Sequence, residues 1–380
     1  MKRLTWALIQ LLLLTSLFET GFSVTTRSRG KKKVPKEPKE INVCEVDVKQ
    51  SLYCDCDSDK LRNATDAKCL ILNEVRVDDP AWGHFTSQMY LQKLKFMARM
   101  PNWLRQIPVQ LFRQLIHLQV ITFQDASIEE VKEYTFYNLS TITEINLSRN
   151  QITTLKMHSF ENMKNLTAIY LDENRITEIN RDTFVNLPSL KSLHLSVNNI
   201  STLHDKAFKH LTSLEELELF NNQIKVITAD SFHGLRKLVT LDLRNNLIAM
   251  IGDRTFIEMP SLRELELDKN EIVYISDKAL DGMKNLRKLR LSKNKLVTLE
   301  PDFLSGAPGV NFLDLKENLM KTMTFDNIKP IVTNLYNSTS HFYLSGESLS
   351  IKRPNLLHAF NPLTTVGAYW RPKHIGFPVL

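Results

Sequence analysis

The chain of 380 residues carries 49 Lys and Arg against 42 Asp and Glu, for a formal net charge of +7, with 43% hydrophobic residues and four cysteines. The positive excess is concentrated ahead of the first cysteine, and outside a cell the partner of such a charge run is expected to be a sulfated glycan or an anionic surface rather than nucleic acid. Beyond the N-terminus no stretch approaches the ~18 consecutive apolar residues that a bilayer-spanning helix needs, so a transmembrane segment is excluded there.

Residues 1–23 begin with Lys2 and Arg3, run through Leu11, Leu12, Leu13, Leu14 and Leu17, and reach the small residues Gly21 and Ser23. This is the pattern of a secretory signal peptide, and the mature protein is expected to be secreted, or held at the cell surface if an anchored form exists. Residues 24–43 contain Arg27, Arg29, Lys31, Lys32, Lys33, Lys36 and Lys39 with Pro35 and Pro38 and no apolar run, and read as a disordered basic arm. Outside a cell such an arm suits a sulfated glycan, bound weakly and salt-sensitively; a solubilising linker or a processing site is the alternative.

The segment 44–90 holds Cys44, Cys54, Cys56 and Cys69. In an exported chain four cysteines imply two disulfides, with three pairings open. Zinc chelation by the C-x-C pair is the rival reading, disfavoured by the oxidising compartment. A solenoid exposes the apolar edge of its first coil, and a stapled cap meets that need.

From 91 to 344 the sequence repeats. Asn150, Asn174, Asn198, Asn222, Asn246, Asn270, Asn294 and Asn318 stand 24 residues apart, each preceded by an L-x-L-type pair such as Leu193/Leu195 or Leu217/Leu219. The two apolar residues of each pair point the same way from a short strand and face the core, by the alternation of side chains along a strand. Each Asn is expected to satisfy backbone groups where the chain leaves the strand. A second ladder, Phe112, Phe136, Phe160, Phe184, Phe208, Phe232 and Phe256, continued by Leu280 and Leu304, keeps the same period and reads as core under the convex side. The pattern predicts an α/β solenoid, a leucine-rich repeat horseshoe with a parallel concave sheet. Nine regular coils run from about Leu118 to Asn318, with an irregular coil at each end: Leu94/Phe96 precedes Ile121/Phe123 by 27 residues, and beyond Leu315 the next pair is Phe342/Leu344. Residues 345–380, with Lys352, Arg353, Pro354, Trp370, Arg371 and Pro372, are expected to form an irregular tail, too short and broken in its apolar part for an anchor-attachment signal.

The Cys44, Cys54-Asp55-Cys56, Cys69 arrangement ahead of 24-residue repeats with Phe resembles the extracellular leucine-rich repeat family with a cysteine-rich N-terminal cap, over roughly Cys44 to Asn318. The resemblance implies the pairings Cys44–Cys56 and Cys54–Cys69 and a recognition role without catalysis. Within that family, the widely spaced cap, the Asp78-Asp79-Pro80-Ala81-Trp82 segment and the modest number of repeats resemble the connectin-type cell-adhesion proteins of insects. The chain departs from that pattern in lacking a cysteine-rich C-terminal cap and a glycolipid-anchor signal.

Six sequons, at Asn63, Asn138, Asn146, Asn165, Asn199 and Asn337, fit an exported chain. Asn146 lies between Ile145 and Leu147 and projects from the concave sheet, where a glycan would keep a partner off its N-terminal part. Further along the same face Glu216, Glu218, Asp242, Glu264, Glu266 and Asp268 are expected to form an acidic field bordered by Lys288, Arg290 and Lys293, with exposed Tyr170 and Phe220 as anchors. Charge balancing between neighbouring strands is one reading; a partner or ion that offsets the repulsion is the other. His194, with no second His beside it, reads as a surface residue rather than a ligand. No nucleophile elbow, phosphate loop or metal-helix motif is present, so no enzyme activity and no cofactor are expected. The sequence therefore points to a recognition protein, cell adhesion through the concave face, including binding to a second copy of itself. A soluble matrix protein or ligand-binding modulator is the alternative.

Overall fold

The structure is a computed structural model that describes residues 40–45, 51–98, 103–324, 326–327, 329, 341–343 and 350–352. The expected signal peptide, the arm up to Lys39, the Asn337 sequon, Leu344 and most of the expected tail lie outside the described residues.

Short strands recurring once per repeat stack into a sheet of thirteen strands among the described residues. Strands β1 (Leu52–Cys56) and β2 (Asp66–Ile71) form an antiparallel hairpin, and β2 pairs in parallel with β3 (Lys93–Ala98), which pairs with β4 (Val120–Gln124). The regular coils then add β5 (Glu144–Asn146), β6 (Ala168–Tyr170), β7 (Ser192–His194), β8 (Glu216–Glu218), β9 (Thr240–Asp242), β10 (Glu264–Glu266), β11 (Lys288–Arg290) and β12 (Phe312–Asp314), all parallel. The register is one repeat per strand, so Leu193 pairs with Leu217 and Leu217 with Leu241. The last strand, β13 (His341–Tyr343), sets Phe342 opposite Leu313, so the register slip expected after Leu315 is a coil of 29 residues that still rejoins the sheet. Ser350–Lys352, inside the segment expected to be irregular, pairs in parallel with Thr322–Thr324.

Helix is sparse on the convex side. It includes a five-residue α-helix at Gln110–Gln114 and 3-10 turns at Pro80–Gln88 and Asp230–Phe232, with two-residue parallel strands such as Phe136–Tyr137, Phe160–Glu161 and Phe184–Val185 in many of the other coils. A 24-residue coil has little length for a helix once its strand and two turns are built, and a short parallel bridge satisfies the same backbone groups. The Phe ladder is buried beneath this layer, with ring centroids 5.4, 5.1 and 5.4 Å apart from Phe112 through Phe136 and Phe160 to Phe184.

The consensus asparagines stitch neighbouring coils. Asn174 accepts from the Ile152 amide at 3.1 Å and donates to the Leu147 and Leu171 carbonyls at 2.9 and 3.0 Å, and the same set recurs at Asn198, Asn222, Asn246, Asn270 and Asn294. The residue before each Asn adopts a left-handed conformation, from Arg149 (φ 60°) through Val197 (φ 56°) to Glu317 (φ 54°). That conformation is costly for a side chain other than Gly or Asn, and costliest for a β-branched one. The buried amide network of the following Asn holds it in place.

The cap closes the N-terminal edge. Disulfides join Cys44 to Cys56 and Cys54 to Cys69, the second across the β1–β2 pair. Beneath them the Trp82, Phe85 and Phe96 rings pack with centroids 5.6–6.3 Å apart, and Phe96 stacks on Phe123 of the next coil at 5.0 Å. Asp79 caps the 3-10 turn by accepting from the Ala81 amide at 2.8 Å.

Candidate functional site: the concave sheet face

Strand alternation sends Ile145, Ile169, Leu193, Leu217, Leu241, Leu265, Leu289 and Leu313 into the core, all of them buried. Their neighbours on either side form straight columns across the sheet face. One column runs Tyr170, His194, Glu218, Asp242, Glu266, Arg290, Asp314; another runs Ser192, Glu216, Thr240, Glu264, Lys288, Phe312.

The expected acidic field and its basic border are interleaved rather than adjacent. Asp242 pairs with Arg244 at 2.5 Å, while Lys288 reaches Glu266 at 2.7 Å and Glu264 at 3.2 Å, and Arg290 reaches Glu266 at 3.3 Å. Asp242, Glu266 and Asp268 are buried, leaving Glu216, Glu218 and Glu264 as the accessible acids. Facing columns only about 5 Å apart bring opposite charges within reach, which explains the balance. For Lys288, burial disfavours the charged ammonium, but the bond to Glu266, that carboxylate's charge and the bond to Glu264 together outweigh it and hold the titration above the ordinary value. Burial pushes the Asp268 carboxyl up, against donation from Ser292 Oγ and its amide. The six named acids still outnumber the three permanent cations Arg244, Lys288 and Arg290, so the face stays net negative.

The two aromatic anchors are half-buried rather than exposed. The Arg244 guanidinium lies over the Phe220 ring, 5.3 Å from its centroid, and Tyr170 stacks on His194 at 4.7 Å. His194 in turn places Nδ1 2.9 Å from Glu218 Oε2, and Asp172 stands alongside. Burial opposes charging of the His194 ring, yet the Glu218 bond and the nearby carboxylates raise its pKa above the ordinary value. The same bond lowers that of Glu218, while burial pushes the Asp172 carboxyl up. The lone-histidine signal therefore misses a cluster: Asp172 and Glu218 sit one coil either side, a spacing of 22 and 24 residues that only the repeat clock brings together.

Comparison with known proteins fits this geometry. Overlapping matches to the leucine-rich repeat profile span residues 116–320, more than half of the chain. The chain belongs to the leucine-rich repeat family. A relative among curated proteins, connectin of Drosophila melanogaster, is 37% identical over 107 residues, which is 28% of this chain and 16% of the relative. The chain thus matches only a minor part of that protein's length. Among solved structures, the Toll–Spatzle complex of Drosophila gives a TM-score of 0.51 at 22% identity, covering 67% of this chain and 37% of the matched chain, and shows the shared fold. A TLR13–ssRNA13 complex matches at a TM-score of 0.49 and 24% identity over 65% of this chain and 43% of the other.

In this leucine-rich repeat chain the sequons divide by position. Asn146 ends β5 on the concave face, its Oδ1 accepting from the Ser148 amide at 2.9 Å, whereas Asn63, Asn138, Asn165 and Asn199 are exposed outside the main sheet. Sequence reading missed Gln88 in the cap. Its buried side chain accepts from the Asn63 and Ala64 amides at 3.1 and 3.0 Å and donates to Asn42 and the Lys60 carbonyl at 2.9 Å each. No periodicity marks it, because it lies outside the 24-residue grid. Among the described residues no helix is long and apolar enough to cross a membrane.

Proposed function

We propose that this protein is an extracellular recognition module, acting in cell adhesion through its concave face and binding an extracellular protein, a second copy of itself included. The observation that carries this reading is a face already organised for contact. Tyr170 is held against His194 and Phe220 lies under Arg244, so two aromatic anchors lose little side-chain freedom on binding. A net-negative surface around them steers a partner that presents positive charge. Two disulfides and the signal-peptide pattern support export, and the six sequons support glycosylation in the secretory pathway. The basic stretch of residues 24–39 supplies a separate, salt-sensitive attachment to sulfated glycans, whereas Asn42 and Val43, expected to belong to the same arm, are buried against the cap, where Asn42 accepts from Gln88 and the Val43 amide donates to Ser87. The likeness to connectin supports adhesion over a freely soluble modulator.

Beads coated with the secreted chain should clump, less so as salt rises, since exposed charges are screened over about 8 to 10 Å at physiological ionic strength. Glu216 and Glu264, half-exposed on this face, are the positions to reverse to Lys, because the buried Glu266 also supports the fold. Dispersed parent beads refute self-recognition and leave a different partner; clumping unchanged in the reversed variant refutes the concave face itself.

A further inference from the structure

We propose that Asp172, His194 and Glu218 form a zinc-type divalent-cation site on the concave face, independent of whether that face also binds a protein. One ligand atom from each lies within 4.8 Å of the others, contributed by three successive coils. One imidazole and two carboxylates suit Zn2+, which takes His nitrogen and Asp or Glu oxygen at a tetrahedral centre and leaves a fourth position for water. Donor atoms around such a centre lie about 3.3 Å apart. His194 Nδ1 and Glu218 Oε2, 2.9 Å apart, therefore need to part only slightly to admit the ion between them. Ca2+ fits poorly, because it takes six to eight oxygens and disfavours nitrogen.

The repeat supplies its own comparison. Four coils further on, the corresponding positions are Asp268, Arg290 and Asp314, so there the two carboxylates flank a permanent cation carried by the chain. At Asp172 and Glu218 the central residue is a histidine, whose neutral ring is a ligand rather than a counter-ion. The serines beside the two sites differ as well. Ser292 donates through both its amide and its hydroxyl to Asp268, at 2.7 and 2.8 Å. Ser196 donates only its amide to Asp172, at 2.8 Å, and its hydroxyl has no partner although the residue is only 8% exposed. Ser196 shares the sheet face with His194 two residues earlier, so this buried hydroxyl stands at the edge of the cluster, placed to bond a water on the ion. Burial also raises the cost of the Asp172 charge, which a bound cation removes. Tyr170 stacked on the imidazole and the Ser196 amide on the carboxylate are the outer contacts that orient such ligands.

The test is isothermal titration of the full secreted chain with Zn2+, alongside Co2+ substitution read by its visible absorption. The parent should bind one Zn2+ per chain and give the Co2+ spectrum of a four-coordinate centre. Asp172→Asn should weaken Zn2+ by about tenfold or more. His194→Arg, which copies the arrangement at Arg290, should abolish both binding and spectrum while preserving the fold by circular dichroism and melting. Asp268→Asn should bind as the parent does. Absence of saturable Zn2+ binding, affinity unchanged in folded Asp172→Asn and His194→Arg, or Ca2+ bound more tightly than Zn2+, each overturns the proposal.

Discussion

Replacing Asn222 or Asn246 with alanine leaves an Ile amide unpaired in the buried turn and removes one of the two asparagine donors from each of two Leu carbonyls, which keep the donor of the neighbouring coil. The expected loss is about 1 to 3 kcal/mol per substitution, read from chemical denaturation. Asn318, part-exposed at the end of the array, should cost less. The residue ahead of each Asn argues in the opposite direction. Val197 is a β-branched residue at φ 56°, and Val197→Gly should stabilise by up to about 1 kcal/mol because only the glycine adopts that conformation freely. A Val197→Gly protein that melts below the parent would show that the valine's own packing outweighs the backbone term. The Asn grid is legible in the sequence because one side chain solves the same hydrogen-bond problem in every coil. The left-handed site is not legible, because Arg, Glu, Val, Asn and Lys all occupy it and the network around it, rather than the residue, imposes the conformation.

A single coil cannot bury its own apolar side, so damage to one element should spread to its neighbours. Phe160 stacks on both Phe136 and Phe184, and Phe160→Ala should cost about 3 to 5 kcal/mol, with amide exchange accelerated first in the adjoining coils. Acceleration spread evenly over the whole array would show that the coils unfold as one unit. In the cap, the Thr65 hydroxyl, then the Thr65 and Asp66 amides, hold the Asp57 carboxyl below its ordinary 3.8. A carboxylate lowered by folding stabilises above its unfolded pKa and loses that contribution as pH falls through the folded one. The β1–β2 hairpin should therefore loosen below about pH 4, with the Asp57 carboxyl seen by NMR titrating below ordinary aspartates. Strand pairs such as Leu217/Leu219 and the Phe ladder announce these elements by period alone. The two-residue convex strands do not, because their pairing depends on the coil stacked beside them.

At the scale of the molecule, the columns of the concave face follow directly from strand alternation, and the residues expected there are the residues found there. Their partners were less legible. Whether Lys288 borders the acids or binds Glu264 and Glu266 depends on side-chain reach across the sheet, and the sequence orders the columns without setting rotamers. The Asp172, His194 and Glu218 cluster was hidden for the same reason.

The one-dimensional stacking of coils also makes the protein a mechanical object. If adhesion loads its ends, tension should peel coils one at a time, because each strand bonds only to the strands beside it. A 24-residue coil pulled straight adds about 80 Å of chain, so a force–extension trace should show repeated steps of that length. Peeling should begin at the C-terminal side, where β13 closes a 29-residue coil without a disulfide. At the other end the Cys54–Cys69 bond ties β1 to β2 covalently, and the cap should hold until it is reduced. The cysteine clasp would then act as the fixed anchor of a tape that lengthens under load instead of letting go.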